Sequence, residues 1–357
     1  MKPDAPIPRG RGASVNPANR FEKIQLERDP DWNPSEDPAP STAFFKDKTS
    51  TLLNYNDSPD IGFEVSLNPY RGCEHGCIYC YARPTHEYLG FSAGLDFESK
   101  IMVKENAPDL LRRELSSPKW KPQVIAMSGV TDCYQPMERK LKLTRRCLEI
   151  LEEFRNPVCI VTKNHLVTRD VDLLSGLAGH KAAAVFVSVT TLNAGLASKL
   201  EPRASLPSHR LDAIAALSRA GVPVGVMVAP VIPGLTDHEL PGIIAAAAEH
   251  GAGRAGYVPL RLPFGVAPLF EEWLTNHFPD RKDKVLHRIR ALRGGKLNDP
   301  RFGSRMRGEG IFAEQIDSLF RVACRKAGLD GRSPELSAAA FRVPATHGVS
   351  QQGTFPF

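Results

Sequence analysis

The sequence predicts an α/β fold, a partial (βα)6 TIM-like barrel with a helical C-terminal extension and a disordered N-terminal arm. Three observations predict it. Six short apolar or β-branched runs recur through the middle of the chain with little polar alternation, as strands buried on both faces of a parallel sheet do. Amphipathic helical patterns separate them, and strand–helix alternation implies a βα barrel or an open α/β sheet. Six units rather than eight leave such a barrel open on one side.

Residues 1 to about 40 are rich in proline, charge and small polar residues, as in Asp29-Pro30-Asp31-Trp32-Asn33-Pro34, and read as a disordered or wrapping arm. Hydrophobic residues return from Thr42 to Asp60, a lead-in expected to pack on the core. The six predicted strands are Phe63–Leu67, Val124–Met127, Val158–Thr162, Ala184–Val189, Val222–Val228 and Gly256–Leu260. Between them, Leu143, Cys147, Leu151 and Phe154 share one helix face, as do Leu211, Ile214, Leu217 and Ala220, with Gly221 as the stop. Thr236-Asp237-His238-Glu239 has the form of a capping box ahead of Ile243–Glu249. Ala107–Leu115 and Asp170–Ala178 are further helices. After the sixth strand come helices at Pro268–Phe278, Lys282–Arg293 and Ile311–Ala327, whose apolar stripes are expected to seal the end of the domain. The organisation expected is an arm and lead-in over 1–58, a core domain over 59–296, a helical extension over 297–332 and a loose tail over 333–357.

With 357 residues, 42% hydrophobic and 24% charged, the chain has the composition of an ordinary soluble globular protein. No run of about 18 apolar residues predicts a membrane helix, and Met1–Gly12 lacks the apolar centre of a secretory signal. Seven cysteines, three of them clustered, fit a reducing compartment and a metal site better than a disulfide framework, so the expected address is cytoplasmic. The net charge of +6 is uneven: 281–332 holds 14 Lys/Arg against 6 Asp/Glu, leaving about −2 for the remainder. The basic stretch 281–307 is therefore a candidate nucleic-acid surface, against the plainer reading of a solvated face.

Cys73-Glu74-His75-Gly76-Cys77-Ile78-Tyr79-Cys80 carries the chemistry. Three thiols at spacings of four and three are too tight for a disulfide framework, and thiolate is the ligand of zinc and of iron–sulfur clusters. A cube normally takes four thiolates, so three imply one iron open to another ligand. The loop follows the first strand, and reactive groups of such folds gather at the C-terminal strand ends. The competing reading is a Cys3His zinc site using His75 or His86.

C-x3-C-x2-C with an aromatic before the last cysteine, after the first of six βα units, resembles the radical SAM superfamily. The resemblance reaches the branch containing spore photoproduct lyase and covers about Ile61 to Leu262. It is carried by Thr131-Asp132-Cys133-Tyr134-Gln135-Pro136, Thr162-Lys163, Ser188-Val189-Thr190, Leu200-Glu201-Pro202-Arg203 and His209-Arg210-Leu211. It implies that Cys73, Cys77 and Cys80 hold a 4Fe–4S cluster whose fourth iron is chelated by S-adenosylmethionine. It also implies a one-electron reductant such as flavodoxin or ferredoxin as partner. Tyr79 lies where the family sets an aromatic against adenine, and Lys163, Ser188, Thr190 and Arg203 are candidate cofactor contacts. A Lys or Arg offsets the cofactor carboxylate and hydroxyls satisfy ribose. The strand end Val228–Val231 is expected to lend backbone groups to adenine. Asp132 stands near the family's Gly-rich second-strand motif, but the residues before it are Ser128-Gly129-Val130, which departs from that motif. Cys133 is a candidate hydrogen donor, one or two positions off the register of the lyase's cysteine.

Each residue has a plainer reading. Tyr79 could be a packing aromatic, Lys163 and Arg203 surface charges, and Asp132 a helix cap. Cys147, Cys159 and Cys324 sit in apolar patterns and read as small core residues. The functional expectation is reductive cleavage of S-adenosylmethionine to a 5′-deoxyadenosyl radical, with the substrate open. The alternatives are a photoproduct-lyase-like enzyme acting on DNA, and a non-catalytic Fe–S or zinc module that binds nucleic acid.

Overall fold

The computed structural model describes residues 10–22, 41–330 and 335–344. Short apolar runs become strands wherever both faces can be covered. β1 (Ala43–Lys46), β2 (Leu53–Tyr55), β3 (Val65–Leu67), β4 (Tyr70–Arg71) and β5 (Lys100–Val103) precede β6 (Ile125–Met127), β7 (Val158–Thr162), β8 (Ala183–Ser188), β9 (Val224–Val231) and β10 (Ala255–Pro259). The principal sheet runs β10-β9-β8-β7-β6-β3-β2. The five pairings that join its six strands from β3 to β10 are parallel in sequence order, and β2 pairs antiparallel on the outer edge of β3. These six parallel strands fall within three residues of the predicted runs. β2 and β10 end the order unpaired with each other, so the barrel is partial and open. A second sheet, β1-β5-β4, was not foreseen: its strands are two to four residues long and β1 is exposed throughout.

The short helix α1 (Leu95–Ser99) precedes β5, and α2 (Ala107–Leu115), α3 (Glu138–Leu141), α4 (Leu143–Phe154), α5 (Val171–Gly179), α6 (Ala194–Leu200), α7 (Pro207–Arg219) and α8 (Leu240–Glu249) fill the crossovers. α9 (Val266–His277), α10 (Pro279–Leu292), α11 (Ser304–Arg307) and α12 (Ile311–Ala327) follow the last strand. The main core lies between the sheet and its helices, with Ile160, Val185, Val226, Leu148, Leu177, Ile214 and Ile243 fully buried. A second apolar cluster joins Ile78 and Tyr79 of the cysteine loop to Leu200, Leu262, Phe270, Trp273, Val285 and Ile289, so α9 and α10 cover that side of the domain.

The capping box at Thr236 does not form. Thr236 Oγ1 accepts instead from the Ile232 amide at 3.0 Å, Glu239 accepts from Thr191 and the Leu192 amide, and a 3-10 turn leads into α8. Both box side chains are drawn off by tertiary partners that local spacing does not reveal.

Of the predicted arm, residues 10–22 wrap onto the core: Arg11, Gly12, Ala13 and Ser14 are buried, and the Leu95 amide donates to the Val15 carbonyl at 3.2 Å. The remainder of that arm, 1–9 and 23–40, lies outside the described residues. In the predicted loose tail, 335–344 docks: the Ser337 amide reaches the Lys181 carbonyl, the Arg342 amide the Phe154 carbonyl, and Phe341 packs 6.2 Å from Phe154. Backbone pairing with a neighbouring element is what holds both segments, and their composition carries no sign of it.

Across the open edge, the loop after β2 meets the C-terminal extension. Asp60 pairs with Arg305 at 2.5 Å and accepts the Gly303 amide at 2.6 Å.

Candidate functional site

The cysteine loop leaves β4 and is tied down by backbone and side-chain bonds from three regions of the chain. The Cys73 amide donates to the Phe97 carbonyl at 2.9 Å and the Ile78 amide to the Leu200 carbonyl at 3.1 Å. The Glu74 amide donates to Gln135 Oε1 at 2.9 Å, and the Arg203 amide to the His75 carbonyl at 3.3 Å. Glu74 itself pairs with Arg203 at 2.9 Å and accepts the Met137 amide at 2.7 Å. Residues after β6, within α1 and around the end of α6 thus hold one octapeptide at the strand ends.

Gly76 has φ of +66° in that loop, a conformation that disfavours a side chain. All seven cysteines are free. Burial pushes the thiols of Cys73, Cys77 and Cys80 up; for Cys77 the Lys163 ammonium opposes this, and for Cys80 the Arg83 guanidinium does.

The strand ends place polar groups beside the loop. Asp132 accepts from Thr162 Oγ1 at 2.8 Å, the Lys163 amide at 2.7 Å and the Tyr134 amide at 2.9 Å, and faces His75 Nδ1 at 3.3 Å. Burial alone would raise its carboxyl, but the His75 ring and these amides hold it down to about 2. Asp132 therefore joins the ends of β6 and β7 to the loop rather than capping a helix. Lys163 Nζ donates to the Ala229 carbonyl at 3.3 Å and stands 5.9 Å from the Tyr79 ring centre. Thr190 Oγ1 donates to Glu201 at 2.7 Å. Glu201 also accepts from the Tyr79 hydroxyl and pairs with Arg210, both partners of the pair being at most 1% exposed. Arg210 reaches on to the Ser188 carbonyl at 3.0 Å and the Ser205 carbonyl at 2.7 Å. Lys163, Thr190 and Tyr79 are thus gathered beside Cys77, and Ser188 joins them through Arg210.

A sequence profile of the Radical SAM superfamily matches residues 67–247. An uncharacterized protein of Mycobacterium tuberculosis is 35% identical over 305 residues, 83% of this chain and 85% of its own length. The chain belongs to the radical SAM superfamily. A radical SAM Nalpha-GlyT isomerase of Pseudomonas phage M6 is 26% identical over 56% of this chain and 40% of its own length. Among solved structures, two variants of spore photoproduct lyase match with TM-scores of 0.57 and 0.55, at 15% and 17% identity. The first covers 82% of each chain and the second 79%. This likeness is one of fold.

For a radical SAM chain the three thiols are donors of the kind an iron–sulfur cluster takes. Among the described residues no group of three His, Cys, Asp or Glu is drawn together as a single metal ion would need. The histidines of the zinc alternative are engaged elsewhere. His75 uses Nδ1 toward Asp132 and Nε2 toward Asn164 at 3.1 Å. His86 Nε2 lies 2.9 Å from the Lys100 carbonyl, with burial lowering its pKa to about 4.

Cys133 is fully buried in the main core, and the charges around its thiol are Asp132, Glu138 and Asp170. Arg203 sits on the cysteine loop, with its guanidinium on Glu74 and Thr42.

Part of the basic stretch is paired within the fold. Arg288 pairs with Asp237, Arg290 with Glu271, Arg301 with Asp299 and Glu309, and Arg305 with Asp60, while Arg293 is buried on the carbonyls of Pro259 and Leu260. Two cavities, about 470 Å³ at Asp60 and Gly303–Glu309 and about 970 Å³ at Tyr55–Glu64 and Gln123–Val124, contain none of the site residues. The larger lies before β3 and β6, at the strand ends opposite the cysteine loop. Among the described residues no helix is long and apolar enough to cross a membrane.

The sequence motifs include Glu74, Gln135, Glu201 and Arg210 without giving them a role, and they omit Arg83 and Glu98. A charged residue inside an otherwise apolar or loop segment was the available signal, but its partner is 9 to 129 positions away and only the fold pairs them.

Proposed function

We propose that this radical SAM protein carries a 4Fe–4S cluster on Cys73, Cys77 and Cys80 and uses it to cleave S-adenosylmethionine reductively. The observation that supports the reading is the placement of Cys73, Cys77 and Cys80 on one buried loop beside Lys163, with Thr190, Asp132 and the Tyr79–Glu201–Arg210 group on the same strand-end edge. When bound and reduced, the cluster supplies one electron to the cofactor's sulfonium, breaking its C–S bond to give methionine and a 5′-deoxyadenosyl radical. Lys163 offers a cation to the cofactor carboxylate. Glu201 fixes the Tyr79 ring by its hydroxyl, and the apolar wall of α9 and α10 behind the loop keeps water from that side. Asp132 holds the β6 and β7 ends together so that Lys163 keeps its position.

The protein, reconstituted with iron and sulfide without oxygen and reduced with dithionite, is expected to release 5′-deoxyadenosine from S-adenosylmethionine. Cys77→Ala abolishes this; persistence of turnover in that variant sinks the proposal.

The likeness to spore photoproduct lyase favours one second reading, a nucleic-acid substrate. It requires affinity for DNA that falls steeply between 50 and 200 mM salt, as released counterions dictate. The pairing of Arg288, Arg290, Arg301 and Arg305 within the fold leaves the basic stretch fewer free charges for that purpose than its sequence promised.

A further inference from the structure

Arg83 follows the last cysteine by three positions and is fully buried, with every donor of its guanidinium placed. Nε donates to the Cys77 carbonyl at 2.9 Å and Nη2 to the Gly76 carbonyl at 3.2 Å. Nη1 reaches the carbonyls of Ala93 and Gly94 at 3.3 and 2.9 Å. Its charge is met by Glu98 at 2.5 Å, a carboxylate that is itself 0% exposed. Glu98 in turn accepts the amides of Gly12 and Ala13, each at 2.9 Å.

The N-terminal strap is pressed onto the loop at that point. A Cβ on Gly12 would stand 1.7 Å from the Gly76 carbonyl oxygen, and one on Gly76 would stand 2.6 Å from Glu98 Oε2. No side chain fits either place. Arg83 and the strap therefore meet on the same peptide, the one that joins Gly76 to Cys77.

A buried ion pair serving stability alone needs no more than its two partners and satisfied donors. Here the fork is aimed at two successive carbonyls of the turn that carries the cysteines, and its counter-charge, Glu98, is itself held by the amides of Gly12 and Ala13 from a segment far upstream. We propose that Arg83 is the positioning residue of the cysteine loop. Held by Glu98 and the Gly12–Ala13 strap, it fixes the Gly76–Cys77 turn in the geometry that presents Cys77 and Cys80 to the cluster. The inference rests on the cluster reading given above and adds to it the device that preorganises the loop. Lysine cannot replace arginine there, because a point charge cannot span the carbonyls a planar fork reaches.

The test uses full-length apoprotein of wild type, Arg83→Lys and Gly12→Ala, alkylated with iodoacetamide without oxygen and read by peptide mass spectrometry. Alkylation at Cys77 and Cys80 is expected to rise about tenfold or more in both variants, as loss of charge-assisted bonds opens the loop. Cys147 and Cys324, buried in the main core, report the fold and should stay at wild-type rates. After reconstitution, the variants should also change the spectrum of the reduced cluster and raise the KM for S-adenosylmethionine more than they lower kcat. Wild-type alkylation at Cys77 and Cys80 in both variants overturns the proposal. Should Arg83→Lys expose Cys147 and Cys324, Gly12→Ala decides, since it leaves the guanidinium intact. Should both variants lose the fold, hydrogen exchange on the wild-type apoprotein decides. Protection of the Gly12 and Ala13 amides together with that of Ile78 supports the device, and free exchange at Gly12 and Ala13 beside a protected loop refutes it. Alkylation of apoprotein needs no cluster. A protein that failed to cleave S-adenosylmethionine would thus end the functional reading and leave the loop result legible.

Discussion

Replacing Glu201 with glutamine removes one charge from a pair that solvent does not reach. The carboxylate accepts from Tyr79, from Thr190 at 2.7 Å and from Arg210, which is itself about 1% exposed. Burial alone would raise its carboxyl, ordinarily near 4.5, yet Arg210 and Lys163 together with these hydrogen bonds hold it down to about 2. At 1.36 kcal/mol per pH unit that displacement corresponds to about 3 kcal/mol of stability at pH 7. Breaking a buried pair by removing one partner gives a similar figure, about 3–5 kcal/mol, because Arg210 is left charged and alone. The folded-state pKa is depressed, so the contribution is complete above pH 4.5 and is lost as pH falls toward 2. Urea unfolding of wild-type and Glu201→Gln apoprotein is expected to differ by about 3 kcal/mol at pH 7, and by less than half of that at pH 3. A variant within about 1 kcal/mol of wild type at pH 7, or a difference that does not change with pH, would refute the claim that this carboxylate is a buried, paired anion.

Two further outcomes follow from the same geometry. Lys163→Met should weaken binding of S-adenosylmethionine to the reconstituted protein by about ten- to hundredfold, the worth of one charge-assisted contact; equilibrium binding within threefold of wild type would remove Lys163 from the site. His86 should remain neutral down to about pH 4 in the folded protein, since its ring is buried against the Lys100 carbonyl. Because the unfolded ring titrates near 6.5, stability should fall as pH drops from about 6.5 to 4. A ring titration by NMR with a midpoint above 6 would contradict that burial.

The six parallel strands could be read from the sequence because a strand covered on both faces must be apolar at consecutive positions, as Val158–Thr162 and Ala183–Ser188 are. α12 was legible to the residue, its stripe ending at Gly328 in the left-handed conformation. The strands β1, β4 and β5 were not, since two to four residues carry no period. Cys133 was a candidate hydrogen donor by resemblance, one or two positions off the lyase's register. Neighbours in sequence, the Asp132 carboxylate lies against the Lys163 amide and the Cys133 side chain among buried apolar residues.

The spacing of Cys73, Cys77 and Cys80 was determined by sequence alone, because local backbone geometry keeps three thiols within eight residues on one loop. The same holds for the alternation of strands and helices that sets the loop at a strand-end edge. What holds that loop was decided by tertiary structure. Arg83 with Glu98, Glu201 with Arg210 and Tyr79, and the amides of Gly12 and Ala13 are brought together only when distant segments pack. Buried charges must find partners wherever the fold supplies them, and sequence distance places no limit on where that is.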